Sequence, residues 1–148
     1  MERKFIIFRL EDNFYSLDLK ITREIIPCKD IKQLPSMPDF FAGVIHLRGF
    51  LLPLIDIKKI LQIPQEDKEK RKIIIIAWQK KIFGLLIDDI EDIITIEEEN
   101  IIPAPALLTS MDKNFLKGGF NINDRIVFIL DLEYLFTKYI KKQIKELS

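Results

Sequence analysis

Short runs of apolar residues recur along this chain, and most alternate or run unbroken rather than repeat at helical spacing. Each is cut off by turn-forming residues, so such segments predict β-strands. "KFIIFRL" is the first. "EDN", Glu11 to Asn13, breaks it, and "FYSLDL" resumes with Tyr15, Leu17 and Leu19 on one face and Ser16 and Asp18 on the other. The two runs predict a β-hairpin. "ITREII" then meets Pro27, which should end or bend it, since proline has no amide hydrogen to give a sheet. "LPSMPDFFAG", Leu34 to Gly43, predicts a very short helix begun by Pro38 and stopped by Gly43. "VIHL" and "FLLPLI" are strands around a tight turn at Arg48 and Gly49, and Pro53 places the second on an edge or at a bulge. Asp56 is positioned to cap a short helix, "IKKIL".

The charged stretch "PQEDKEKRK", Pro64 to Lys72, predicts a hinge or boundary between two lobes of a single domain covering residues 1–148. Beyond it, "IIIIAW" and "IFGLLI" are strands about the turn "QKK". "DDIEDIITI" is a third, bulged or twisted because Ile90 and Ile94 cannot both share a face with Ile93 in a flat strand. "IIPAPALL" reads as proline-broken loop. Asn123 and Asp124 turn between two further strands. From Asp131 the period changes: Leu132, Leu135, Phe136, Tyr139, Ile140 and Ile144 recur every three or four positions. This predicts an amphipathic helix over about 132–146, capped by Asp131. "PLIDIKKIL" and "FILDLEYLF" echo one another as apolar strand, aspartate and helical turns. Two similar β-rich lobes would produce the echo, and so would chance in an isoleucine-rich chain.

Composition narrows the classes. With 48% apolar residues in 148, the chain can bury a sizeable core. Its 23 basic and 23 acidic residues balance, without the basic excess that phosphate binding demands, which argues against a dedicated nucleic-acid binder. Acidic residues gather instead near "TIEEENI", Thr95 to Ile101. A lone cysteine excludes an internal disulfide and fits a reducing compartment. The charged N-terminus lacks the apolar stretch of a signal peptide, and no apolar run approaches the roughly 18 residues of a membrane span. The expectation is a soluble cytoplasmic protein.

Catalysis would need a nucleophile with a base, paired acids or a metal cage. His46 and Cys28 are the only residues of their kinds and lie far apart in sequence. His46 reads as a strand residue bonded to a neighbour, or as the flank of a site. Cys28 reads as an inert small side chain. Asp88, Asp89, Glu91 and Asp92 lack the glycine-centred loop of a calcium site and read as a solvated edge. No phosphate-cradling glycine loop is present, and Trp78 reads as packing. No catalytic residue, metal or cofactor is predicted. Arg48 stands apart: beside Gly49 in a tight turn, its base is firmly held, and a guanidinium so held offers five donors to a partner. A solvated turn arginine is the other reading. Glu24, beside an apolar strand, could face a partner, a lysine or water.

Taken in order, these stretches resemble the landmarks of the CheW-like family, the coupling proteins of bacterial chemotaxis, from Phe5 to about Phe136. "FRLEDNFYSLDLKITREII" resembles the opening hairpin and V-x-E-I segment, with Thr22 in place of a β-branched apolar residue and Glu24 matching the glutamate. "LPSMPDFFAGVIHLRGFLLPLIDI" resembles P-x-x-x-x-G-V-x-N-L-R-G-x-x-x-P-V-x-D-L, with His46 in place of asparagine. "FGLLIDDIEDIITI" resembles G-x-x-V-D-x-V-x-x-V. The resemblance implies a mostly β fold of two small five-stranded SH3-like barrel lobes around a shared apolar core, with short helices and a C-terminal helix. It implies a non-catalytic adaptor, monomeric when isolated, between the cytoplasmic tips of chemoreceptors and the regulatory domain of a CheA-like histidine kinase. Such an adaptor associates with receptor arrays at the inner face of the membrane without inserting in it. A CheW-like adaptor of a twitching or surface-motility system would share the fold. A small barrel that binds nucleic acid and a small hydrolase are remote alternatives. On the family pattern Arg48 and Glu24 lie at or near partner contacts with His46 and Gly49, and Ile21 and Ile25 are candidates for the receptor groove. Gly43 and Gly49 serve as turn residues, and Asp56 and Asp131 as caps.

Overall fold

The structure is a computed structural model and describes residues 1–64, 71–107 and 113–140. Strands β1 (Glu2–Leu10), β2 (Asn13–Asp18), β3 (Thr22–Pro27), β4 (Phe41–Leu47) and β5 (Phe50–Asp56) lead into helix α1 (Ile57–Leu61). Then follow β6 (Lys72–Trp78), β7 (Lys81–Ile87), β8 (Asp89–Glu97), β9 (Ile102–Pro103), β10 (Leu116–Ile122) and β11 (Arg125–Leu130). Helix α2 (Leu132–Leu135) continues as a wider π-type turn, Phe136–Ile140. The hinge expected over Pro64 to Lys72 falls largely on residues 65–70, outside the described residues, and Lys72 already belongs to β6. The helical positions expected beyond 140, Ile144 among them, also lie outside them.

The strands form a six-stranded sheet, β8-β1-β2-β11-β10-β9, and a five-stranded one, β3-β6-β7-β5-β4. The first is lobe 1, built from both ends of the chain; the second is lobe 2, built from its middle. The first five strands of one order match the five of the other in sequence, and β9 is an addition to lobe 1. In each, a hairpin is followed by a capping aspartate and a helix, and the second strand of that hairpin pairs in parallel with a strand of another hairpin. Leu54 lies against Gly84, two residues before Asp56; Ile129 lies against Ser16, two residues before Asp131. The echo in the sequence is therefore a pseudo-repeat in space.

Three hairpins turn on two residues of positive φ: Arg48–Gly49, Gln79–Lys80 and Asn123–Asp124. Mirror-image turns of this kind match the right-handed twist of the strands they join. The expected bulge in β8 is present, where Asp92 opposes Ile7 and Ile90 opposes Phe8. Its counterpart in β3 lies between Thr22 and Glu24.

Apolar residues divide into three cores. Phe5, Ile7, Phe120 and Val127 fill lobe 1; Ile45, Leu52, Leu54, Ile73 and Leu86 fill lobe 2. Between the sheets lies the largest, with Ile6, Phe8, Tyr15 and Leu17 from one side and Ile55, Ile74, Ile76, Phe83 and Leu85 from the other. Phe136 joins this shared core edge-on to Trp78, ring centroids 4.4 Å apart. Burial pushes the Tyr15 hydroxyl up to about 12, against a smaller opposing effect of Asn13.

Several expectations are corrected. The short helix before Gly43 is absent: residues 34–40 form turns, and Gly43 lies inside β4 with φ +134°. A Cβ on Gly43 would stand 2.3 Å from the Lys32 carbonyl oxygen, so close approach of backbone, not helix termination, demands the glycine. Pro53 sits in a central strand; the ladder to β7 begins one residue later, at Leu54, so its missing amide hydrogen costs that ladder nothing. The stretch read as loop around Pro103 contributes β9 and a 3-10 turn, Ala104–Ala106, giving lobe 1 a sixth strand. Leu19 belongs to a 3-10 turn, and Ser16 is buried, its hydroxyl donating to the Phe128 carbonyl at 3.2 Å.

Candidate partner-binding site

Arg48 stands at the tip of the β4–β5 hairpin with φ +49°, followed by Gly49 at +83°. Nothing lies within 4 Å of where a Gly49 Cβ would stand, so only the turn's backbone conformation calls for glycine there. The Arg48 guanidinium does not float in solvent. Nη1 donates to Glu24 Oε1 at 2.6 Å and Nη2 to Oε2 at 2.9 Å. Glu24 lies on β3, and β3 and β4 are opposite edges of the lobe 2 sheet. The sheet must curl to bring them together, and the ion pair ties the curled edges at one end of the barrel. Hydrogen bonds from Arg48 hold the Glu24 carboxyl below the usual glutamate range, and the same bonds raise Arg48. Arg48 remains 68% and Glu24 33% exposed, so the pair fixes geometry more than it adds stability.

Around this end the strands run out of cover. Phe50 is 74%, Leu51 60% and Ile82 56% exposed. Each sits beside one of the two tight turns, where a strand outruns its neighbours. That position is the signal by which the sequence could have disclosed them. Ile25, on the outward face of β3, is also exposed. His46 is exposed on β4 opposite Leu51, beside a cavity of about 420 Å³ lined also by Ile26, Pro27, Lys29 and Lys32. Ile21 is separate from this group. It packs half-buried on the shared core and lines a small cleft between the lobes with Leu17, Trp78 and Leu132. The structure thus gathers Glu24, Ile25, His46, Arg48 and Gly49 at one end of lobe 2 and leaves Ile21 in the cleft.

Asp56 and Asp131 are the caps expected of them. Asp56 accepts from the Lys58 amide at 3.2 Å and Asp131 from the Tyr134 amide at 3.0 Å. The acidic cluster after β7 is not one solvated edge. Asp88 is buried, its carboxylate 2.6 Å from the Lys58 ammonium, which is itself only 1% exposed and also meets Glu11. Arg71 lies 3.7 Å from Asp56 and 3.9 Å from Asp88. Glu11 belongs to lobe 1 and Lys58 to lobe 2, so this network pins the lobes together. Asp89 pairs with Lys72 at 2.6 Å, and that bond, with one from the Ile90 amide, lowers its carboxyl. Burial raises the Cys28 thiol, which works against thiolate formation. Among the described residues, no group of three or more histidine, cysteine, aspartate or glutamate residues is placed to hold a metal ion. No helix there is long and apolar enough to cross a membrane.

Two small β-barrels fused through a common core, with a fixed ion pair and uncovered apolar side chains at one end, define a module for binding other proteins. The chain belongs to the CheW-like domain family, which matches residues 4–139. It is 33% identical to the probable chemotaxis protein CheW of Rhizobium etli, over 93% of this chain and 89% of that protein. It is 27% identical to the chemotaxis protein CheW of Klebsiella aerogenes, over 91% and 82%. The crystal structure of the scaffolding protein TtCheW from Thermoanaerobacter tengcongensis superimposes with a TM-score of 0.85 at 33% identity, covering 95% of this chain and 96% of that one.

Proposed function

We propose that this chain is a non-catalytic chemotaxis adaptor that couples the cytoplasmic tips of chemoreceptors to the regulatory domain of a CheA-like histidine kinase. It would act as a cytoplasmic monomer recruited to receptor arrays. The observation that carries this reading is the end of lobe 2. There a guanidinium is held in place by Glu24, beside the exposed side chains of Phe50, Leu51 and Ile82. Apolar anchors beside an oriented charge suit protein recognition, since the anchors supply affinity and the charge selects the partner. Arg48, Glu24, His46, Gly49 and Ile25 are the contacts assigned to this end. Ile21 is assigned to the cleft, where a receptor helix would lay its apolar face.

Replacing Arg48 with alanine tests the assignment. The fold should change by less than about 0.5 kcal/mol. Affinity for a receptor cytoplasmic fragment or for the kinase regulatory domain should fall roughly thirtyfold, about 2 kcal/mol. Lysine should restore little, because an ammonium lacks the planar donor fork. Calorimetric titration beside a melting curve reads both quantities, and wild-type affinity for both partners in a folded variant would remove Arg48 from the interface.

A further inference from the structure

The pseudo-repeat allows the two barrel ends to be compared position by position. Glu24 opposes Ile75, and Ile75 opposes Gly84. In lobe 1, Asp92 opposes Ile7, and Ile7 opposes Ser16. Gly84 and Ser16 are equivalent through the capping aspartates, so Asp92 is the counterpart of Glu24, each just after a bulge. Counting back equally from Asp56 and Asp131, Arg48 corresponds to Asn123, first residue of the equivalent turn. Ile82 and Phe50 correspond to Phe14 and Arg125.

The carboxylate is kept in lobe 1 and its arginine is not. Where the Glu24–Arg48 pair spans the end of lobe 2, lobe 1 has an open mouth of about 390 Å³. Its walls are Ile7, Phe14 and Val127, with Glu91 and Asp92 at the rim beside Asn123. Among the described residues Asp92 accepts only from the Ile93 amide, at 2.8 Å, and neither Glu91 nor Asp92 has an ion-pair partner. Arg125 lines the same mouth, but its guanidinium lies over the Phe14 ring, 4.8 Å from the centroid. Glu91 also borders the adjoining cleft, which Arg9 and Arg125 line, so Asp92 is the carboxylate left without the guanidinium that its counterpart Glu24 has.

We propose that the mouth of lobe 1 receives an arginine side chain presented on a tight turn of a partner protein, completing from outside the pair that lobe 2 makes from within. The apolar walls suit the methylene stem, and a carboxylate on a strand suits the planar fork, as Glu24 demonstrates. A turn is the fitting carrier because the mouth opens at the barrel's end, and in lobe 2 the arginine arrives from a two-residue turn. This chain's own Arg48 is engaged by Glu24 and is not the donor. The site lies on the other lobe from the contacts assigned above, so its failure would leave those untouched.

The probe is a cyclic hairpin peptide bearing residues 47–50, Leu-Arg-Gly-Phe, at its turn, titrated into the ¹⁵N-labelled full chain. Amide signals of Ile93, Asn123 and Arg125 should move. Citrulline in place of the peptide's arginine, neutral but of the same shape, should bind about tenfold more weakly or worse, and Asp92→Asn should weaken the arginine peptide similarly. Asn123→Arg should abolish binding by filling the mouth from inside; Arg48 shows that this turn position accepts arginine at positive φ. Melting curves confirm that each variant is folded. No movement, movement centred elsewhere, or equal binding of the citrulline peptide would overturn the proposal. Shifts reproduced by guanidinium chloride at the peptide's concentration would overturn the requirement for a turn-borne side chain.

Discussion

Helices α1 and α2 begin alike and end differently. Each follows a strand, each is capped by an aspartate, and the cap backbones nearly coincide, with φ −87° and ψ 96° at Asp56 against φ −87° and ψ 91° at Asp131. Two residues past the cap, α1 carries Lys58, buried against carboxylates, whereas α2 carries exposed Glu133. α1 is thus held by charge at the seam between lobes, and α2 by aromatic packing through Phe136. One backbone device has been fastened in two ways. The buried charges add directionality that an apolar seam lacks, because an ion pair is satisfied in few geometries whereas aliphatic contacts tolerate sliding.

Removing each fastening should expose the difference. Lys58→Met would leave the Asp88 and Glu11 carboxylates beside an apolar side chain, at a cost of about 3–5 kcal/mol. Glu133→Met, its counterpart, should change stability by less than about 0.5 kcal/mol. Urea unfolding of both variants measures the gap, and equal effects would dissolve the asymmetry. Phe136→Ala should cost about 3 kcal/mol, since it opens a cavity between Trp78 and Phe83. If that variant melts like the wild type, α2 is not anchored as its contacts suggest.

The smallest effect concerns pH. The Glu24 carboxyl is lowered by its bonds from Arg48, so the pair's contribution is fully present above the ordinary glutamate range and is lost as pH falls through the lowered value. A side-chain NMR titration should show Glu24 ionising at lower pH in the wild type than in Arg48→Ala. Coincident curves would mean that the pair does not persist in solution.

Much of this was legible in the residues because it is local. Turn chemistry at Arg48–Gly49 and Asn123–Asp124, the bulge in β8 and both caps follow from neighbours a few positions away. What misled was punctuation with two meanings. Pro38 and Gly43 mark helix ends in many chains, but here the backbone of Lys32 crosses Gly43 and settles its role. Asp88 sat in an acidic run that reads as wet, yet its burial depends on Lys58, which a linear reading cannot place opposite it. The Glu24–Arg48 pair was hidden likewise: each residue drew notice alone, and their meeting requires the whole of lobe 2 to curl.

Lobe 1 draws β1 and β2 from the start of the chain and β8 to β11 from near its end, and this sets an order of events during synthesis. Lobe 2 needs nothing beyond Ile87 to complete its sheet. The β1–β2 hairpin, by contrast, emerges first and must wait roughly a hundred residues for β11, some 5–20 s at typical elongation rates of about 5–20 residues per second. Over that interval Phe5 and Ile7, bound for the lobe 1 core, have no lobe to fill, and the early hairpin is the segment most open to chaperones or to a neighbouring nascent chain. Ribosome-bound chains arrested after β7 should protect lobe 2 from protease and leave the first hairpin susceptible; protection of both would mean that the hairpin finds shelter on lobe 2 before its own partners exist.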